Sequence, residues 1–194
     1  ASYEEYKANL RRTTENFLIT DDHLGEGGPK AKFQANITAI KLLKYLEETT
    51  GQATPEQQKI LSRYVGWGGL ADAFDPEKPA WAAEYAQLKE LLTRSEYAAA
   101  RGSTLNAHYT SPTVIKAVGR MGFETGNILE PSCGVGNFFG MLPEKMRNSR
   151  LYGVELDSIS GRIAKQLYPK ADITVAGFET TDRRDFYDLA VGNV

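Results

Sequence analysis

Of the 194 residues only one is a cysteine, Cys133. A single thiol excludes a disulfide framework and any zinc site built on paired cysteines. Long apolar runs are missing as well. Nothing in the sequence approaches the roughly 18 consecutive apolar residues that a spanning helix needs, so no membrane partner is expected. Residues 1–12 have no apolar signal-peptide core, which makes a cytoplasmic location the expectation. Excess charge of either sign is also lacking: 23 Lys+Arg stand against 25 Asp+Glu, for a net charge of −2. Neither the part up to Leu105 nor the remainder is basic, so charge offers no argument for a nucleic-acid surface. Internal repeats and low-complexity segments are absent from the sequence. What is left has the composition of an ordinary globular protein, 41% hydrophobic and 25% charged. Its length allows one large domain or two small ones.

The chain divides into two territories. Residues 1–105 read as an α-helical amino-terminal region. Residues 3–16 form a short polar helix. In residues 31–50, Phe33, Ile37, Ile40, Leu43 and Leu46 recur at three- and four-residue steps, the period of an amphipathic helix. Thr54-Pro55-Glu56-Gln57 carries an N-cap, a proline at the first helical position and a glutamine three residues on, a helix start. Gly66-Trp67-Gly68-Gly69 ends that helix, and Trp67 reads as a core anchor. Further helices are expected over 81–92 and 94–101. The stretch Gly25-Glu26-Gly27-Gly28-Pro29-Lys30 lacks the ending of a phosphate-binding P-loop and reads as a connector.

From residue 106 the texture changes. Strand-like segments at 127–130, 151–156, 172–176 and 186–191 alternate with helical ones at 112–121, 138–146 and 158–167. Alternation of this kind implies an α/β fold with a doubly wound parallel sheet. Between the first strand and its helix lies Glu130-Pro131-Ser132-Cys133-Gly134-Val135-Gly136-Asn137, a turn whose glycines let a ligand approach the backbone. A dinucleotide fingerprint needs its third glycine three residues after the second. Here Phe139 holds that place and the glycine falls at 140, which disfavours nicotinamide. Glu155 closes the second strand, where a carboxylate can accept two hydrogen bonds from ribose hydroxyls. The pattern suits a nucleoside. It also suits any α/β protein, which needs a glycine turn after its first strand, and the residues alone leave that plainer reading open.

These motifs resemble, in order, those of S-adenosylmethionine-dependent methyltransferases that methylate exocyclic amines of DNA. The turn Glu130-Pro131-Ser132-Cys133-Gly134-Val135-Gly136 looks like their motif I, and the resemblance extends through Asn137 and Phe138 as cofactor contacts. His108-Tyr109-Thr110-Ser111-Pro112 resembles the element placed before motif I, which puts Tyr109 and Thr110 against the methionine end of the cofactor. Gly153-Val154-Glu155-Leu156-Asp157 resembles motif II, with Glu155 on the ribose and Leu156 beside it. Ala176-Gly177-Phe178 resembles motif III, where Gly177 and Phe178 meet the adenine ring. The family often has Asp where Gly177 stands, so the adenine contact would rest on Phe178 and backbone groups.

The resemblance implies a Rossmann-like methyltransferase sheet over 106–194, partial at about four strands, with S-adenosylmethionine as cofactor and adenine N6 of DNA as acceptor. The order of motifs fits enzymes whose target-recognition region comes later in the chain, so DNA would be bound by regions beyond this one. The wider combination, from Gly25–Lys30 through Tyr64-Val65-Gly66-Trp67-Gly68-Gly69-Leu70 to Tyr109, resembles the amino-terminal part of large methylase-helicase proteins of bacterial mobile elements. Family members accept hydrogen bonds from the target amine with an (Asn/Asp/Ser)-Pro-Pro-(aromatic) loop after the fourth strand. Asn193 matches its first position as the catalytic residue, and Val194 departs from the Pro that follows. The 194 residues are therefore expected to be a piece of a longer protein, inactive by itself. Its last strand would be an open edge through which two copies could pair.

Other readings stand beside this one. The same loop serves enzymes that methylate RNA adenine or a protein glutamine amide, and a non-catalytic binding module on a methyltransferase-like scaffold remains a separate class. Asn193 is also a favoured turn residue. Cys133 reads as a small packed residue, Phe138 and Phe139 as helix packing, His108 as a loop histidine and Arg183-Arg184 as a solvated pair. No metal site is expected.

Overall fold

The computed structural model describes residues 2–21, 25–49, 51–105 and 122–192, with the backbone alone at 11 and 12. The amino-terminal part is helical: α1 (Tyr3–Thr13), α2 (Pro29–Glu48), α3 (Pro55–Leu61), α4 (Ala82–Leu91) and α5 (Arg94–Ser103). Local chemistry accounts for the helix starts. Ser2, Thr54 and Thr93 each accept from the backbone N–H three residues on. Glu5, Gln57 and Glu96 reach back in turn to the cap N–H, closing three capping boxes. All five periodic residues of α2 are buried. Around them Trp67 meets Phe33, Tyr64 and Phe74 edge-on, with ring centroids 5.3 to 6.3 Å apart. Buried Asn36 clamps the turn after α3. Its Nδ2 donates to the Gly66 carbonyl at 2.6 Å and its Oδ1 accepts from Val65 N–H at 2.9 Å. Lys30 donates to the Ala80 carbonyl, pairs with Glu84 and sits 4.0 Å over the Trp81 ring, a structural use of the connector's cation.

The second part is α/β, with four parallel strands, β1 (Asn127–Glu130), β2 (Arg150–Glu155), β3 (Asp172–Val175) and β4 (Leu189–Ala190), in the order β3-β2-β1-β4. The expected Rossmann-like parallel sheet preceded by helices is what forms. In register, Glu130 lies beside Gly153, and Gly153 beside Ile173. The crossovers include α6 (Asn137–Gly140) and α7 (Ser158–Leu167).

Three elements are shorter than the sequence suggests, the first being α1, which stops at Thr13 rather than at residue 16. The helical stretch at 138–146 breaks into the single turn of α6 and a 3₁₀ turn at Glu144–Met146, because Pro143 cannot continue a helix. The fourth strand pairs only at 189–190. Asp185 adopts a positive φ of 52°, and Phe186 and Tyr187 turn away to pack edge-on against each other and Tyr152. Arg183, far from merely solvated, lies over the rings of Tyr152 and Phe186. The helix expected over 112–121 lies outside the described residues.

Polar bonds join the two parts. Gln58 of α3 donates to the carbonyls of Gln166 and Leu167 at the end of α7, at 3.0 and 3.2 Å. Gln166 Oε1 accepts from Ala53 N–H at 2.7 Å. Residues 14–20, which form no regular element, run alongside, Phe17 N–H donating to the Leu167 carbonyl and Ile19 N–H to that of Gly140. A Cβ on Gly140 would lie 2.5 Å from the Tyr168 hydroxyl and 2.7 Å from Ile19, so this glycine is required by packing.

Candidate functional site

The carboxyl ends of β1 and β2 carry the predicted site. Glu130 is the last residue of β1, and residues 131–136 turn sharply into α6. Gly134 and Gly136 adopt φ of 55° and 83°, the left-handed region that glycine enters without steric cost. Backbone demand differs between them. A Cβ at Gly136 would fall 2.5 Å from the Tyr168 ring, whereas a Cβ at Gly134 would meet nothing within 4 Å. Gly134 is therefore the open face of the turn. Gly153 makes room for the turn itself, since a Cβ there would lie 2.9 Å from Cys133 Sγ.

Glu155, at the end of β2, is oriented by main-chain donors. Gly134 N–H donates to its Oε2 and Asp157 N–H to its Oε1, each at 2.7 Å. Burial pushes its carboxyl above the usual carboxylate range, against the pull of those two N–H groups. Asp157 in turn caps α7, accepting from Ser160 N–H at 2.8 Å and from the Ser160 hydroxyl at 2.6 Å. Glu130 is 4% exposed, and its Oε2 has no hydrogen-bond partner among the described residues. Burial first, and the Glu155 charge second, push the Glu130 carboxyl well above its ordinary value. Cys133 is buried, and burial with the charges of Glu130 and Glu155 raises its thiol far from thiolate, so it packs and is no nucleophile.

The remaining predicted residues flank this centre. Pro131 is half-buried and Ser132 exposed on the turn. Asn137 opens α6, whose Phe138 is 2% exposed and faces the core. Leu156, after β2, is 77% exposed, and Phe178, after β3, is 53% exposed. Both offer apolar surface just beyond the strand ends. Gly177 precedes Phe178, and the Glu179 carboxylate folds back into the space a side chain at 177 would fill. Tyr109, Thr110 and Asn193 lie outside the described residues, as does His108. A separate groove of about 120 Å³ opens between Tyr152, Thr174 and Arg183, and no predicted site residue lines it. Among the described residues no cluster of three metal-ligating side chains occurs, and no helix is long and apolar enough to cross a membrane.

A carboxyl held ready at Glu155 and a second at Glu130, with one oxygen unpartnered among the described residues, suit a ligand with paired hydroxyls and a cationic end. The chain is 42% identical over 71 residues to the type II methyltransferase M.CvrRI of Paramecium bursaria Chlorella virus XZ-6E, a match covering 37% of the chain and 18% of that protein. It is 27% identical over 177 residues to the defense against restriction protein B of Escherichia phage P1, covering 88% of the chain and 6% of that protein. The chain thus spans less than a fifth of either relative. Among solved structures, a Listeria monocytogenes protein described as a class I S-adenosylmethionine-dependent methyltransferase aligns over 85% of the chain and 58% of its own, at 14% identity and a TM-score of 0.38. No protein-family model matches.

Sequence reasoning missed one feature of the site. Glu179 over Gly177 left no signal, because the family pattern looks for the acid one residue before the aromatic.

The unpartnered Glu130 has a measurable consequence. A buried carboxyl with a raised folded-state value favours folding while protonated, and that contribution is lost as pH rises through the folded value. Glu130→Gln keeps the shape without the charge. The ligand-free variant is expected to be more stable than wild type, by a margin that widens as pH rises above the ordinary carboxylate range. Thermal unfolding across that range checks it, and a margin that stays flat with pH would count against a protonated Glu130.

Proposed function

We propose that the chain is the cofactor-binding part of an S-adenosylmethionine-dependent methyltransferase that modifies the adenine N6 amine of DNA. The observation that carries the reading is the pairing of Glu155, fixed by Gly134 and Asp157 N–H groups, with a buried Glu130 oxygen that has no partner among the described residues. In this reading Glu155 accepts from the ribose hydroxyls, and Glu130 provides an acceptor for the cationic methionine end. The open face of Gly134 lets the cofactor lie against the backbone. Leu156 and Phe178 cover the adenine ring, and Glu179 serves as the acceptor for its amino group, a role that Gly177 cannot fill. The bound cofactor supplies the methyl group. Tyr109 and Thr110 complete its methionine side, and Asn193 accepts a hydrogen bond from the target amine, leaving the nitrogen lone pair free to attack. Similarity to a type II methyltransferase supports methyl transfer, and the motif order before and after the glycine turn supports DNA as acceptor.

Calorimetric titration tests the cofactor assignment. S-adenosylmethionine and its demethylated product S-adenosylhomocysteine are expected to bind with one-to-one stoichiometry, and NAD is expected to give no heat. Binding of NAD in place of S-adenosylhomocysteine, or of neither, would overturn it.

A further inference from the structure

Two carboxyls stand at the ligand edge of the sheet, and their surroundings differ. Glu155 has a main-chain N–H on each of its oxygens, from Gly134 and Asp157. Glu130, 4% exposed at the end of β1, has an oxygen with no partner among the described residues. Donors favour the ionised form of the carboxyl that holds them, whereas a buried carboxyl oxygen without one is far cheaper to keep neutral than charged. The elements packed around Glu130 bring it no cation. It lies in register beside Gly153, two residues before Glu155 on β2, and the one cation of that strand, Arg150, stands at the far end opposite Asn127. From the glycine turn, Cys133 Sγ rests against the same Gly153. On the other side β4 pairs through Leu189 and Ala190, and Asp188 before it is bonded to Asn127 N–H at the far end. The α6 residues Asn137-Phe138-Phe139-Gly140 include nothing titratable. Asp157, beyond Glu155, adds a further acid. A proton shared between the two site carboxyls therefore sits on Glu130. Burial and the Glu155 charge act on Glu130 in the same direction.

We propose that Glu130 carries a proton in the empty site and releases it to solvent when the ammonium group of the ligand's amino-acid end arrives, so that binding is coupled to pH. The proposal rests on the S-adenosylmethionine reading, which sets that end of the ligand beside Glu130. The exchange balances. The Glu130 O–H bond breaks, its electron pair stays on the carboxylate, the proton passes to buffer, and the ammonium forms the ion pair. An unpaired charge is buried at neither stage, since a neutral acid is replaced by a carboxylate with its cation. Binding that releases a proton tightens as pH rises, by up to tenfold per unit while Glu130 is protonated in the empty site and ionised in the complex. Nucleosides without an amino-acid end leave the proton in place. The coupling thus also separates the full ligand from its nucleoside part.

Calorimetry of the wild-type chain in two buffers of different ionisation enthalpy counts the protons exchanged. The comparison is run about one unit above the ordinary carboxylate value, at about pH 5.5. S-adenosylhomocysteine is expected to release about one proton per ligand bound. 5′-Methylthioadenosine, which keeps adenine and ribose but has no ammonium group, is expected to release close to none. Over the next unit of pH the Kd for S-adenosylhomocysteine is expected to fall about five- to tenfold, and that for 5′-methylthioadenosine to stay within about twofold. Glu130→Gln is expected to bind S-adenosylhomocysteine with neither proton release nor pH slope. If that variant does not fold, the two ligands on the wild-type chain decide. Binding of S-adenosylhomocysteine without proton release overturns the proposal. Equal release by both ligands does so too, since it assigns the proton to Glu155 on the ribose side, as does release that persists in Glu130→Gln. Failure of the wild-type chain to bind S-adenosylhomocysteine in any buffer is a distinct result, which removes the cofactor reading and the proposal with it.

Discussion

Replacing Glu155 with alanine is expected to weaken S-adenosylhomocysteine binding about 100-fold, with the protein still folded. Two losses add. A carboxylate that accepts from both ribose hydroxyls makes charge-assisted hydrogen bonds, each stronger than a neutral one. The same oxygens also hold Gly134 N–H and Asp157 N–H, so alanine releases the turn that faces the ligand. Together these amount to about 3 kcal/mol, or about two powers of ten in Kd. Glu155→Gln is expected to fall between the two proteins. Its amide keeps one acceptor oxygen but turns an NH₂ toward one of the two backbone donors, which cannot accept from it. Calorimetry alongside thermal unfolding checks both variants. Wild-type affinity in Glu155→Ala would remove this residue from the ligand site and leave its carboxylate as a brace for the turn.

Arg162→Ala is expected to cost about 3 kcal/mol of stability at neutral pH, because it takes from a buried carboxylate one of its two cationic partners. The guanidinium stands between three helices. Its Nε and Nη2 each donate to Glu47 at 2.7 Å, and its Nη1 donates to Glu96 at 2.8 Å. Glu96, 8% exposed, also accepts from Lys44 at 2.9 Å and from Thr93 N–H at 2.9 Å. Burial alone would raise the Glu96 carboxyl. The Arg162 hydrogen bond, the Thr93 N–H and Lys44 outweigh it and hold the group down to about 2. A depressed carboxyl contributes stability that is complete above its unfolded value and is lost as pH falls through the folded one. Wild-type stability should therefore decline between about pH 4.5 and about pH 2. Arg162→Ala should decline less steeply, having already lost the largest of the opposing interactions. Urea titrations at stepped pH values measure both. A variant within about 0.5 kcal/mol of wild type would mark the cluster as a solvent-screened surface pair.

Much of the fold was legible because its signals are local. Capping at Thr54, the three-and-four-residue rhythm of α2 and the exact span of β1 depend on neighbours within a few positions, which spacing reports directly. The extent of β4 was not legible. Phe186 and Tyr187 have the composition of a strand, yet they gain more by packing on Tyr152, a partner on another strand. The late position of Gly140 had no cause legible in the sequence, because it lies in Ile19 and Tyr168, which approach the glycine from two directions.

By itself the sequence determined that a parallel α/β sheet follows a helical region and that acids and glycines meet at its first two strand ends. Those features follow from the alternation of strand and helix and from turn chemistry. Tertiary structure alone decided what the helical region contributes. Arg162 finds Glu96 at 66 positions' remove and Glu47 at 115, and Gln166 finds Ala53 at 113. No periodicity encodes such pairs. A donor and an acceptor far apart in sequence become partners only when packing brings them together, and burial then makes it costly for either to stand alone.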